Sequence, residues 1–260
     1  MPHQQVNGVS LYYEVMGAGE PVLLLHGLGS SLRDWERQLP VFVEHYQVIA
    51  CDVRGHGRSS KPTGPYSVPQ FTADIIALLH HLHVESAHVL GLSMGGMIAF
   101  QLAVDAPQLV KSLVIVNSGP ELVPTTRQEH LAVWQRLLIS RLMGPKKMGE
   151  VISQRLFPNP DQTEMRQTMA SRWAENDKAA YLAATKALIG WSVTAQLPQI
   201  ICPTLIITAD QDYTPIAAKE AYMKQIAKAQ LLVIENSRHA TPIDQSERFN
   251  TAVLQFWATL

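Results

Sequence analysis

The chain has 260 residues, 47% of them hydrophobic and 17% charged, with a net charge of −1. That length can bury the core of one large domain, or of one domain carrying an insertion, and the near-neutral balance argues against a nucleic-acid or anionic-membrane partner. No apolar run reaches the roughly 18 residues of a transmembrane helix, and Met1-Pro2-His3-Gln4-Gln5 has neither the basic nor the apolar region of a signal peptide, so a cytoplasmic location is expected.

Residues 9–15 alternate loosely and predict an edge strand, ended by Gly17-Ala18-Gly19. Pro21-Val22-Leu23-Leu24-Leu25 is a continuous apolar run, the pattern of a strand buried on both faces. His26-Gly27-Leu28-Gly29 follows, and Ser30-Ser31 are suited to cap a helix reaching about residue 44. A second buried strand over 46–51 leads into Asp52-Val53-Arg54-Gly55-His56-Gly57-Arg58-Ser59, and residues 68–83 predict an amphipathic helix with Phe71, Ile75, Leu78, Leu79 and Leu82 on one side. Cys51 and Cys202 both stand in apolar, strand-like surroundings and read as reduced core thiols.

The next stretch organises the chain. His88-Val89-Leu90 reads as a short strand, Gly91-Leu92-Ser93-Met94-Gly95-Gly96 as a turn, and Met97 onward as a helix. A strand that becomes a helix within five residues forces its middle residue into a strained conformation, and glycines two before and two after keep the neighbours from clashing. Ser93 is then held out on an elbow, with the following amide at a helix N-terminus, as a nucleophile requires.

Another strand follows over 113–116, so strands alternate with helices in the rhythm of an α/β fold: a mostly parallel central sheet with helices on both faces. After Asn117 the rhythm breaks. Helical stretches over 128–142, 146–156, 161–175 and 178–189 predict a helical cap spanning 119–198, inserted into a core formed by 1–118 and 199–260. The insertion contains Trp134, Trp173 and Trp191, candidate substrate-binding residues because a cap at this point rests on the loops at the strand ends. Strands over 204–208 and 231–234, a helix over 216–227 and a last helix from about 242, with Phe249, Val253, Phe256 and Trp257 on one face, complete the chain.

Ser93, an aspartate of the Asp210/Asp212 pair and His239 each follow a buried strand, and a parallel sheet brings such positions to its carboxyl edge. The order Ser, Asp, His is that of one large hydrolase fold. Together with His26-Gly27-Leu28-Gly29, the 52–59 loop and Pro203 to Pro215, these residues make the chain resemble the α/β-hydrolase superfamily over nearly its whole length. The resemblance implies Ser93 as nucleophile, Asp212 as acid and His239 as base, with the amides of Leu28 and Met94 as the oxyanion hole. Gly-Leu-Ser-Met-Gly-Gly-Met looks like 3-oxoadipate enol-lactonases, small carboxylesterases and cofactor-free perhydrolases. Arg238 stands where many relatives have Gly, a position that need only permit the turn.

His56 reads as a brace for the oxyanion segment, and Asp52 and Arg54 as local pairs or caps. His80, His81 and His83 lack the i,i+4 spacing or Cys/carboxylate company of a metal site, and no phosphate loop is present. No metal and no cofactor is expected. The implied activity is hydrolysis of a small-molecule ester or lactone through an acyl-enzyme. The same triad would also serve thioester, amide or carbon–carbon hydrolysis, and the same capped pocket would serve a sensor that binds a small signal without turnover.

Overall fold

A computed structural model describes residues 3–260; Met1 and Pro2, which begin the 1–118 segment and the leading pentapeptide, lie outside the described residues. The strands are β1 (His3–Val6), β2 (Val9–Met16), β3 (Glu20–Leu25), β4 (Tyr46–Cys51), β5 (Ala87–Leu92), β6 (Val110–Val116), β7 (Thr204–Ala209) and β8 (Ala229–Ile234). They form one sheet in the order β1-β2-β4-β3-β5-β6-β7-β8. β1 and β2 pair antiparallel, as do β2 and β4, and all later pairs are parallel.

The helices are α1 (Leu39–Phe42), α2 (Val68–His81), α3 (Met94–Asp105), α4 (Arg127–Leu142), α5 (Pro145–Leu156), α6 (Thr163–Ala174), α7 (Lys178–Leu188), α8 (Ile216–Met223), α9 (Thr241–Asp244) and α10 (Ser246–Trp257). The apolar run of β3 shows why both faces are covered. Leu23 and Leu25 join the core that contains Ile75 of α2 and Ile98 of α3, whereas Val22 and Leu24 join the core of Phe42, Phe249 and Trp257 on the other side. A two-residue period on a doubly covered strand favours apolar side chains at successive positions.

Three differences from the predicted elements have a local physical reason. The helix expected up to residue 44 is instead a 3-10 turn, Leu32–Trp35, and then α1. Pro40 has no amide hydrogen and fits the first turn of a new helix better than the middle of an old one. Between them Gln38 turns inward, its amide donating to Pro242 O at 2.8 Å and Asn250 Oδ1 at 2.9 Å. The C-terminal helix is split into α9 and α10 at Gln245, which leaves helical geometry (φ −130°, ψ 44°). The unpredicted β1 pairs with β2 through Asn7 (φ 45°) and Gly8 (φ 77°), the left-handed pair of a tight hairpin.

Between β6 and β7 lie α4 to α7, and the only strand-like pairing described there is an isolated bridge between Glu121 and Ser192. α4 starts in a capping box: the Thr126 hydroxyl accepts from the Glu129 amide at 3.2 Å, and the Glu129 carboxylate accepts from the Thr126 amide at 3.0 Å. Cys51 and Cys202 are free thiols, the first buried in β4 and the second half-buried before β7. Among the described residues, no helix is long and apolar enough to cross a membrane.

Candidate active site

Ser93 links β5 to α3 with φ 54° and ψ −114°, a conformation that L-residues rarely adopt. Two backbone bonds hold it there: its amide donates to Val116 O at 2.9 Å, and its carbonyl accepts from the Met97 amide at 3.1 Å. The side chain is half-buried, and Oγ has no hydrogen-bond partner among the described residues. Met94 is the first residue of α3, so its amide has no acceptor within the helix. Among the described residues neither this amide nor that of Leu28 donates to a protein acceptor.

The segment carrying Leu28 is fixed from below by two buried histidines. His26 Nδ1 donates to Gly27 O at 2.8 Å, so Nε2 is the bare nitrogen, and it accepts from the Val53 amide at 3.0 Å. His56 Nδ1 donates to Arg54 O at 3.0 Å, and its ring meets that of His26 edge-on with centroids 5.1 Å apart. Burial holds His26 down to about 4, against the raising effect of its bond to Gly27 O. Burial and then the neighbouring His26 hold His56 down to about 3. Both rings are therefore neutral at physiological pH. Asp52 caps locally, accepting from the amides of Leu32 at 2.8 Å and Arg58 at 2.7 Å, while Arg54 pairs with Asp74 at 2.7 Å.

Of the two candidate aspartates, Asp212 meets the histidine. His239 Nδ1 donates to Asp212 Oδ1 at 2.6 Å, which leaves Nε2 as the nitrogen able to accept a proton. Asp210 instead accepts from the Ser237 amide at 3.0 Å and ties the two loops together. Burial would push the Asp212 carboxyl up; its bonds and charge contacts with His239 and Lys219 more than offset this and hold it well below the usual carboxylate range. Tyr213 stacks on the imidazole, with ring centroids 4.3 Å apart. Asn117 fastens the histidine loop to the sheet: Nδ2 donates to His239 O at 2.9 Å and Thr241 Oγ1 at 2.8 Å, and Oδ1 accepts from the Ala209 amide at 2.8 Å.

Two cavities share Ser93, Leu28 and His239. The smaller, about 90 Å³, is lined by apolar groups that include Ile152, Leu156, Met169 and Trp173. The larger, about 580 Å³, reaches past Met97 to Glu121, Leu188, Tyr222 and Gln225. Arg136 of α4 lines both, and among the described residues no carboxylate pairs with it.

The three tryptophans separate. Trp173, a candidate substrate-binding residue, lines the smaller cavity. Trp134 lines neither: it is 59% exposed, on an outer stripe of α4 with Leu131, Leu138 and Leu142. Trp191 is also outside them, buried with its indole N–H donating to Gln101 Oε1 at 2.7 Å. Composition alone does not tell which face of a helix a tryptophan takes. Lys219, Arg136, Asn117 and Tyr213 were not singled out from the sequence. For Lys219 a signal existed: 219, 222 and 226 have core spacing, and all three residues are buried.

Comparison with known proteins bears on the family and the fold. The family model described as the alpha/beta hydrolase fold matches residues 20–246. The chain is similar to 3-oxoadipate enol-lactonase 2 of Acinetobacter baylyi, 32% identical over 94% of this chain and 92% of that protein. It is also similar to the (E)-2-((N-methylformamido)methylene)succinate hydrolase of the same organism, 30% identical over 98% and 96%. Among solved structures, the enol-lactonase of Burkholderia xenovorans superposes with a TM-score of 0.91 at 25% identity, covering 99% of this chain and all of that one.

Proposed function

The chain belongs to the α/β-hydrolase family, and from that premise we propose that it hydrolyses small carboxylic esters or lactones through an acyl-enzyme on Ser93. The observation that carries the reading is the 2.6 Å contact between His239 Nδ1 and Asp212 Oδ1, beside cavities that His239 shares with an elbow serine. His239 Nε2 takes the Ser93 proton as Oγ attacks the acyl carbon, and later returns it to the leaving oxygen. Asp212 fixes the tautomer and stabilises the imidazolium. The free amides of Leu28 and Met94 receive the developing oxyanion without reorganising. The Ser93–His239 hydrogen bond, not formed among the described residues, forms when substrate fills the cavity, since catalytic contacts are commonly long or misaligned without ligand. The helices of 119–198 act as a cap over these cavities, with Trp173 on the acyl or leaving group.

Arg136 narrows the substrate class. An exposed arginine that lines both cavities and has no carboxylate partner among the described residues suits a substrate that carries its own carboxylate. The two curated relatives point the same way, since oxoadipate and succinate in their names are dicarboxylic acids. The test is multiple-turnover hydrolysis of a panel of p-nitrophenyl esters and lactones, neutral and carboxylate-bearing, with intact-mass detection of the acyl adduct. The reading expects repeated turnover, a preference for the acidic members, and a KM about tenfold higher for these alone in Arg136→Met. A single turnover at most on every member would fit a small-molecule sensor and contradict hydrolysis.

A further inference from the structure

Asp212 has a charged partner on each oxygen. Oδ1 accepts from His239, and Oδ2 accepts from Lys219 Nζ at 2.6 Å. The side chains of Lys219 and Asp212 are each 1% exposed. Lys219 comes from α8, the helix that leaves the acid loop, and its other protons go to Thr214 O at 2.7 Å and to Thr214 Oγ1. The Thr214 hydroxyl in turn donates to Asp212 Oδ2 at 3.1 Å. Every donor of the ammonium is thus satisfied, as a buried charge requires.

A lysine in this place does more than close a loop. The carboxylate of a triad orients the imidazole through one oxygen and stabilises its positive form through its charge. Here the charge is shared with a second cation on the far oxygen. The attraction felt by the imidazolium is reduced, while the fork of His239, Lys219 and Thr214 prevents the carboxylate from rotating. We propose that Lys219 is a positioning residue for the hydrolytic reaction: it locks Asp212 against His239 and offsets the carboxylate's charge at the far oxygen. The inference rests on reading Ser93, Asp212 and His239 as the catalytic set.

The other titratable or charged groups near the pair are accounted for. Tyr213 covers the imidazole face, and Tyr222 of α8 donates to Ser118 O at 3.0 Å. Arg136 enters from α4 at the cavities. Asp244 of α9 accepts from the Arg238 amide at 2.8 Å, and Asp210 from the Ser237 amide at 3.0 Å. Among the described residues, none of these bonds Asp212 Oδ2.

The experiment is the pH profile of kcat/KM for one neutral activated ester, measured for the parent, Lys219→Met, Lys219→Arg and Asp212→Asn. Lys219→Met is expected to move the acid limb to higher pH by roughly one unit, through loss of a nearby positive charge, and to lower kcat with little change in KM. Lys219→Arg keeps the charge, so its acid limb stays at the parent position even where packing lowers the rate. If Lys219→Met does not fold, Lys219→Gln, which keeps a donor without the charge, takes its place. A uniform loss at all pH values, with the limb unmoved in the uncharged variant, overturns the proposal and leaves Lys219 a structural anchor. Full activity of Asp212→Asn overturns it differently, because then the reading of the triad itself has failed.

Discussion

A Cβ on Gly91 would stand 2.2 Å from the carbonyl oxygen of Gly95, so the strand that delivers Ser93 and the helix that leaves it touch through backbone alone. No side chain can swing aside to make room. Gly91→Ala should therefore cost on the order of 3 kcal/mol or more, read as a lower urea midpoint, together with loss of hydrolysis. Parent stability and rate in that variant would mean that the elbow is not under steric control.

The tryptophans should behave as three different residues. Trp173→Ala should change the ratio of rates for bulky and small acyl esters, because its ring forms a wall of the smaller cavity. Trp191→Ala should lower stability by about 3 to 5 kcal/mol through a buried void and leave that ratio unchanged. Trp134→Ala should alter neither. Measured with one bulky and one acetyl ester, equal losses in Trp173→Ala would place its ring outside the acyl path.

Much of this was legible in the sequence because the informative features are local and covalently spaced. The apolar run of β3, the glycines around Ser93 and the alternation of strands and helices depend on neighbours within a few residues. The choice of Asp212 over Asp210 is different: it depends on which of two loop positions points towards a residue 27 further on. Family resemblance supplied it, and the His239–Asp212 hydrogen bond is the contact on which its proposed role rests. Trp134 and Trp191 were misjudged for the same reason in reverse, since nothing local says whether a helix turns a given ring to a cavity, to solvent or to the core. Lys219 was missed because a lysine reads as a surface residue unless its helical face is followed to Tyr222 and Ile226.

The neutral histidine pair should be visible in acid stability. His26 and His56 are held down to about 4 and about 3 by burial, so from about pH 6.5 down to those values the unfolded chain binds protons that the folded chain does not. Stability then falls with falling pH at about 1.4 kcal/mol per pH unit for each. Asp34, which burial raises to about 6, opposes this, because below that value the folded carboxyl is protonated first. Denaturation of His56→Gln between about pH 4.5 and 6 should show a slope smaller by about 1.4 kcal/mol per pH unit. An unchanged slope would mean that His56 is not held neutral.

Asp212 and Asp210 should separate by rate. Asp212→Asn should lower kcat by a factor on the order of 10³ to 10⁴, through the wrong tautomer and a lost counter-charge. Asp210→Asn removes one carboxylate acceptor from an exposed loop tie and should cost at most about 1 kcal/mol of stability with little change in rate. Single-turnover measurements with one activated ester compare acylation directly. An inactive Asp210→Asn beside an active Asp212→Asn would reverse the assignment.

Nucleophilic attack by Ser93 is most directly tested by covalent labelling with a phosphonate ester, read by intact mass and peptide mapping. The account predicts one adduct per chain, on Ser93. It predicts none in a Ser93→Ala variant that retains the parent's unfolding midpoint. An adduct on any other residue, or labelling of Ser93→Ala at the parent rate, would contradict it.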